Sequence, residues 1–166
     1  TGASGGVGSA AIQLAKARGA RVIAVAGYKK QQSVRDAGAD QALVRGASLE
    51  AALGENSVDV VIDLVGGEDW PELLTILTPF GRYAVSGAIA GPIVELDLRT
   101  LYLKDQRFLG CTVLDDGVFS RLVGLIEEGD IKPLLARSFA LESLSEAQAF
   151  FLDKEFTGKL VIDMAL

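Results

Sequence analysis

The sequence TGASGGVGSAAIQLAKARGARVIAVA (residues 1–26) places a glycine-rich turn, a helical segment and an apolar run in that order. Apolar residues recur at helical spacing from Val7 to Ala15, and Gly19 follows a cationic last turn, as a helix-terminating glycine does. Residues 21–26 are short and rich in β-branched side chains, which is typical of a strand covered on both faces. The stretch predicts an α/β fold built on a parallel sheet.

The same alternation continues outward along the chain. Strands are predicted at residues 21–26, 41–44, 58–63, 81–86 and 107–112. Helices are predicted at about residues 7–18, 30–37, 49–53, 70–77 and 118–128. After Pro133, Ser143-Leu-Ser-Glu146 predicts a capping box that starts a further helix. Residues 158–163 then predict a terminal strand, in a different sheet from the others.

Composition narrows the classes of partner. The 166 residues are 49% hydrophobic with a formal charge of −6, and there is no long stripe of lysine and arginine. Nucleic acid and anionic membrane surfaces are therefore disfavoured as partners. No apolar run reaches the roughly 20 residues of a membrane span, and no secretory signal pattern is present. We expect a cytoplasmic protein that acts on a small molecule.

The residue inventory also limits the chemistry. The chain has no histidine and one cysteine, Cys111. These residues therefore cannot form a Ser-His-Asp or Cys-His nucleophile pair, nor a zinc site of several thiolates or imidazoles. We assign no catalytic residue and no metal ligand, so most of the chemistry is expected to come from a cofactor.

The glycine turn is the first candidate site. A glycine-rich turn that opens a helix directs unpaired N–H groups and the positive end of the helix dipole at one point, where a phosphate can bind. Ser4, Gly5, Gly6 and Val7 are the residues expected to form this cradle. The alternative is a tight turn whose glycines only let the helix pack closely on a strand.

Two dehydrogenase patterns fit this turn. The short-chain pattern Thr1-Gly2-x-x-x-Gly6-x-Gly8 requires a Tyr-x-x-x-Lys pair elsewhere. The residues four positions after the three tyrosines are Gln32, Gly87 and Gln106, so that pattern fails. The other reading, Ala3-x-Gly5-Gly6-Val7-Gly8, resembles the medium-chain dehydrogenase/reductase superfamily, especially its quinone-oxidoreductase-like branch.

Later landmarks extend this resemblance over nearly the whole chain. They are Ala26-Gly27-Tyr28, Gly38-Ala39-Asp40, VDVVIDLVGG (58–67), LTPFGRYAVSGAIAG (77–91), LDLRTLYLKDQRFLGCTV (96–113) and FTGKLVIDM (156–164). The resemblance implies a Rossmann-type, doubly wound parallel sheet that lacks most of its first strand, followed by a C-terminal helix–strand tail. It further implies a dinucleotide-binding domain at residues 1–132 and a segment at 133–166 that returns to an N-terminal catalytic domain absent from this piece of chain.

The strand predicted at residues 21–26 corresponds to the second strand of the family's sheet, and its last residue indicates which dinucleotide binds. NAD sites usually carry an acid there for the ribose 2′-hydroxyl, whereas a 2′-phosphate needs a cation nearby instead. The acid is replaced by Ala26, and Gly27, Tyr28, Lys29 and Lys30 follow. We therefore predict NADP(H), with Lys29 or Lys30 at the phosphate and Tyr28 beside the ribose or adenine. Arg45 lies where the family often contacts the adenosine end and is a further candidate for the phosphate. The alternative is that the lysine pair is only a solvated surface turn.

The resemblance also implies which residues line the ribose and nicotinamide, at the carboxyl ends of the later strands. They are Leu64, Val65, Ser86, Gly87, Ala88, Gly110 and Cys111. Leu64 and Val65 can equally be buried strand-end residues, and Cys111 is assigned no catalytic role.

The function implied is the cofactor-binding half of an NADP(H)-dependent oxidoreductase that transfers hydride to a quinone, an enone or a related carbonyl compound. A zinc-dependent alcohol dehydrogenase and a non-catalytic dinucleotide-binding module remain alternatives, and a methyltransferase is a third. Zinc finds no support in these residues. A homodimer through an edge strand at Phe108–Val113 is expected.

Overall fold

The computed structural model of the protein describes residues 1–164. Residues 165 and 166, the last two of the predicted segment 133–166, lie outside the described residues. The helices are α1 (Gly6–Ala17), α2 (Gln31–Asp36), α3 (Leu49–Leu53), α4 (Trp70–Ile76), α5 (Leu98–Leu103), α6 (Val118–Glu127) and α7 (Leu144–Asp153). The strands are β1 (Ile23–Ala26), β2 (Gln41–Val44), β3 (Val58–Asp63), β4 (Leu77–Val85), β5 (Arg107–Gly110), β6 (Leu135–Ala140) and β7 (Lys159–Asp163).

The described strands form three sheets. The first sheet pairs β1 with β2. The second contains β3, β4 and β5 in that order, and the third pairs β6 with β7. The pairs β3–β4, β4–β5 and β6–β7 are parallel. The terminal strand thus lies in a sheet of its own with β6, as predicted.

The chain folds as two compact units, and the first comprises residues 1–2 and 43–118. Its core lies between α4 and the three-stranded sheet. The Trp70 ring packs edge-on against Tyr83 and Phe108, with centroid distances of 4.7 and 5.5 Å. The Trp70 indole donates a hydrogen bond to the Glu95 carbonyl at 2.9 Å, so its one polar atom is satisfied.

The second unit comprises residues 3–42 and the chain from Phe119 onward. The apolar stripe of α1 buries Ile12 against Ala24 and Ala26 of β1 and Val34 of α2. Small alanines on β1 let the helices approach the strand closely. The division at residues 132 and 133 into a dinucleotide-binding domain and a returning segment stays a prediction.

Two sequence predictions are wrong in detail. Ser143 does not cap α7 with its side chain, because its backbone lies in a 3₁₀ turn (φ −92°, ψ 16°) rather than the extended conformation of a capping residue. Glu146 instead forms an ion pair with Arg137 at 2.8 Å. The edge strand expected at Phe108–Val113 ends at Gly110, because its partner β4 ends at Val85, whose carbonyl accepts the last bond from the Cys111 N–H.

Other boundaries differ because of tertiary pairing. β4 begins at Leu77 rather than 81 and includes Pro79, which the sequence places outside the strand. A shift in the β3–β4 register between Val58 and Val60 accommodates this irregular stretch. None of the helices found within residues 1–164 could span a lipid bilayer.

Candidate functional site

The glycine turn opens α1 without any side-chain cap. Gly5 occupies the N-cap position in an extended conformation (φ −73°, ψ 170°), and the first turn carries no acidic residue. Gly5 forms a parallel bridge with Gly158, and the Gly158 N–H donates to the Ser4 carbonyl at 3.3 Å. The positive end of a 12-residue helix therefore faces a turn that no side-chain carboxylate neutralises.

A cation lies beside this turn. A β-carbon built on Gly6 would lie 2.7 Å from Nζ of Lys159 and 2.1 Å from its Cε, so the lysine side chain occupies the space that glycine leaves. Lys159 is the first residue of β7 and is exposed. Sequence analysis missed it, because only the three-dimensional return of the C-terminal strand brings it to the glycine turn. The Gly-Lys pair within FTGKLVIDM is the one local signal.

The end of β1 lacks an acid both at Ala26 and at the next residue. The Ala26 side chain is fully buried in the core of the second unit, whereas a β-carbon at Gly27 would meet nothing within 4 Å. The Gln31 side-chain amide donates to the carbonyls of Ala26 and Gly27 at 3.1 and 3.3 Å and so fixes the strand end. Tyr28 begins the following 3₁₀ turn and is 81% exposed.

The two predicted lysines both lie in that turn and face an acid. Nζ of Lys29 lies 2.9 Å from a carboxylate oxygen of Glu155. This contact lowers the pKa of Glu155, and the charge of Lys30 acts on the carboxyl in the same direction. Partial burial lowers the pKa of Lys30. The charge of Glu155 opposes this lowering, and the charge of Lys29 adds to it. Lys29, Lys30 and Glu155 are therefore one electrostatic cluster.

In the first unit, a buried carboxylate, Asp63, ends β3 directly before the predicted residues Leu64 and Val65. It accepts hydrogen bonds from the hydroxyls of Thr1 and Tyr83, and from the N–H groups of Val65 and Gly66 at 2.9 and 3.2 Å. Burial alone would raise the pKa of Asp63, but these donors outweigh burial and hold the pKa below its ordinary value. Burial and the same carboxylate raise the pKa of Tyr83. Asp63 thus stays charged and fixes the turn that follows it.

The chain segments that follow β3 and β4 meet next to Asp63. The Ser86 N–H donates to the Asp63 carbonyl at 3.0 Å, and a β-carbon at Gly87 would lie 2.8 Å from the Leu64 carbonyl oxygen. The two chain segments therefore approach backbone to backbone, which requires glycine at position 87. Leu64 and Val65 are half-buried, so they are neither wholly core nor wholly open.

Most of the predicted residues at the carboxyl ends of β4 and β5 are exposed. Ser86, Ala88, Gly110 and Cys111 are all exposed. An apolar cavity of about 270 Å³ lies beside them; its lining includes Trp70, Tyr83, Val85, Ala88, Phe108 and Gly110.

The predicted site residues thus divide into two sets, one in each unit. Ser4, Gly5, Gly6 and Val7 lie in the second unit with Ala26, Gly27, Tyr28, Lys29 and Lys30. Leu64, Val65, Ser86, Gly87, Ala88, Gly110 and Cys111 lie in the first unit, as does Arg45, which is exposed just after β2. Their roles in binding stay predictions.

Zinc has no ligand set among these residues. The described part of the chain brings together no group of three or more histidine, cysteine, aspartate or glutamate side chains suited to a metal ion. With no histidine and one cysteine in all 166 residues, the donor set does not fit a zinc site. A dinucleotide phosphate does fit the open first turn of α1 and the neighbouring Lys159.

Comparisons with known proteins show which family the chain resembles. A family model described as zinc-binding dehydrogenase matches residues 6–128. An acryloyl-coenzyme A reductase of Sulfurisphaera tokodaii is 35% identical over 98% of this chain and 49% of that protein. A chloroplastic quinone oxidoreductase of Triphysaria versicolor is 32% identical over 98% of this chain and 51% of that protein.

Solved structures show the same fold. The crystal structure of a candidate alcohol dehydrogenase from Sinorhizobium meliloti is 51% identical and superposes with a TM-score of 0.89 over 97% of this chain and 46% of that one. The predicted Rossmann-type α/β fold is confirmed. The chain spans about half the length of the curated relatives it matches. It belongs to the zinc-binding dehydrogenase family of the medium-chain dehydrogenase/reductase superfamily and forms a dinucleotide-binding domain of that superfamily.

Proposed function

We propose that this chain binds the cofactor in an NADP(H)-dependent oxidoreductase that transfers hydride to an activated carbonyl compound. The observation that carries the proposal is the glycine turn at Gly5 and Gly6, which opens α1 with no acid in its first turn and with Lys159 beside it. Unpaired N–H groups, the helix dipole and an ammonium group all favour a pyrophosphate there. When bound, the nicotinamide supplies the hydride chemistry.

NADP(H) rather than NAD(H) is supported by the residues that follow β1. Neither Ala26 nor Gly27 supplies the carboxylate that would accept hydrogen bonds from a free ribose 2′-hydroxyl. Lys29 and Lys30 place two cations in the next turn, where a 2′-phosphate would need them. Tyr28 is exposed and free to cover the adenosine.

The substrate class is inferred from the relatives. One is an acryloyl-coenzyme A reductase and another is a quinone oxidoreductase. The substrates named for these two relatives, acryloyl-coenzyme A and a quinone, are both electron-poor conjugated systems. The first accepts hydride at a carbon of its double bond, and the second accepts it on the quinone ring. We therefore propose a quinone, an enone or a related α,β-unsaturated carbonyl compound as the hydride acceptor. In this chain, the cluster around Asp63 would orient the nicotinamide by fixing Val65 and Gly66.

A zinc-dependent alcohol dehydrogenase is the second candidate, favoured by the 51% identity to a candidate alcohol dehydrogenase. Such an enzyme would need metal ligands that these residues do not supply. The two candidates differ in a direct way. A quinone or enone reductase keeps its activity in a chelator, whereas a zinc enzyme loses it.

The cofactor preference can be tested at Gly27. The full-length protein is expected to oxidise NADPH with a quinone or an enone, with a Kd for NADPH at least tenfold below that for NADH. Gly27→Asp, at an unstrained position with open space, is expected to weaken NADPH binding about tenfold and to strengthen NADH binding, because the carboxylate repels the 2′-phosphate and accepts from the free hydroxyl. Isothermal titration with both dinucleotides measures this.

Gly27→Asn is the matched control, since it adds the same bulk without charge and should leave the preference nearly unchanged. Tighter binding of NADH than NADPH by the unaltered protein would contradict the cofactor proposal. Binding of both dinucleotides without turnover of any carbonyl acceptor would favour the non-catalytic binding module.

A second test addresses the glycine turn. Lys159→Met is expected to weaken NADPH and NADH by a similar factor, about tenfold, because the pyrophosphate is common to both and a charge-assisted contact is worth about 1.5 kcal/mol. Lys132→Met removes the same charge from an exposed position in the same unit and should change either Kd less than twofold. A loss confined to NADPH would instead place Lys159 at the 2′-phosphate.

A further inference from the structure

The short connection between α7 and β7, residues 154–158, is called here the return segment. It is held against two other parts of the chain, α2 and the glycine turn. The hydroxyls of Thr157 and Ser33 lie 2.9 Å apart, and the Gly158 N–H donates to the Ser4 carbonyl. Since Ser33 also donates to the Lys30 carbonyl at 2.9 Å, the segment is tied to the turn that carries both lysines.

Glu155 is the acid that this segment brings to the lysines. Its carboxylate lies 2.9 Å from Nζ of Lys29, and its charge also acts on Lys30. Both partners of the ion pair are largely exposed, 80% for Lys29 and 69% for Glu155, so a ligand can reach and replace the contact. An exposed pair of this kind is weak and is open to competition from another anion.

We propose that Glu155 determines how strongly the protein prefers NADP(H) over NAD(H), by holding Lys29 in an ion pair that a 2′-phosphate must displace. The inference rests on the proposed function, in which the lysines receive that phosphate. A ligand with a free 2′-hydroxyl leaves the pair intact, whereas one with a 2′-phosphate must compete for Lys29. The return segment therefore reduces the advantage that two adjacent lysines alone would give to NADP(H).

The test measures affinity in the full-length protein for NADPH, NADH and two adenosine probes, adenosine 2′,5′-bisphosphate and 5′-AMP. Glu155→Gln is expected to tighten NADPH and the bisphosphate about fivefold, since Lys29 is then available. The affinities for NADH and 5′-AMP are expected to stay within twofold. The gain for NADPH should shrink as ionic strength rises, because salt screens exposed charges.

Two further variants isolate the mechanism. Glu146→Gln makes the same charge change at an ion pair with Arg137 in the same unit, and it should leave the NADPH-to-NADH ratio unchanged. In a Lys29→Gln background, most of the gain from Glu155→Gln is expected to disappear, and less than twofold remains because the Glu155 charge still acts on Lys30. An undiminished gain without Lys29, or an equal shift for all four ligands, would overturn the proposal. If the unaltered protein binds neither dinucleotide, the proposed function itself is wrong.

Discussion

Replacing Asp63 with alanine is expected to destabilise the protein by about 3 kcal/mol or more. The carboxylate is fully buried and accepts from two hydroxyls and two main-chain N–H groups, so its removal leaves several buried donors without an acceptor. Each unsatisfied donor carries its own desolvation penalty. Urea denaturation followed by circular dichroism measures the change in the free energy of unfolding.

Two controls separate the buried carboxylate from a general effect of charge. Asp59→Ala removes an exposed aspartate from the same strand and should cost less than about 0.5 kcal/mol. Tyr83→Phe removes one of the donors while keeping the ring, and should cost about 1 kcal/mol. Equal stability of the Asp59 and Asp63 variants would contradict the role given to Asp63.

Gly158→Ala is expected to have the second large effect, about 3 kcal/mol of lost stability. Gly158 has φ +92°, and a β-carbon there would lie 2.3 Å from the Leu134 carbonyl oxygen and 2.8 Å from its Cβ. Both the backbone conformation and the space exclude a side chain, so the start of β7 must move. Because Lys159 follows directly, NADPH binding should weaken together with stability.

Gly129→Ala is the matched control. Gly129 also has a positive φ, +85°, but nothing lies within 4 Å of a β-carbon built there. It should cost only about 1 kcal/mol, the strain of the left-handed conformation. The difference between the two variants isolates the collision with Leu134. Thermal unfolding of both proteins measures it, and a Gly158 variant as stable as the Gly129 variant would contradict the contact described.

Most helices and strands could be predicted because the patterns that indicate them extend over only a few residues. The spacing of apolar residues marked α1, and the residues 58–63 matched β3 at both ends. The glycines after α1 and α2 adopt positive φ, +76° at Gly19 and +108° at Gly38, as helix-ending glycines do. The predictions failed where pairing overrode local preference. β4 continues through Pro79, and Ser143 continues a 3₁₀ turn rather than capping α7.

The candidate site likewise has residues that the sequence indicates and residues that only the fold brings there. Gly5 and Gly6 were visible in the sequence because a glycine turn before a helix has one main structural meaning. The partners of that turn were not visible. Lys159 follows a glycine in a terminal strand, and Glu155 lies in an ordinary polar connection, 126 residues from Lys29. The Gly-Lys pair is the only local signal for Lys159, Glu155 has none, and neither residue's neighbours indicate which part of the chain it will contact.

The sequence by itself determined the α/β class, the order of most elements, the family resemblance and the position of the glycine turn, because periodicity, glycine conformation and short motifs act over a few residues. Only the tertiary structure decided which charges meet. It placed Lys159 at Gly6, Glu155 at Lys29 and a buried, ionised Asp63 beneath Val65 and Gly66. Electrostatic contacts depend on distance in space and on burial, and neither quantity is written in the local sequence.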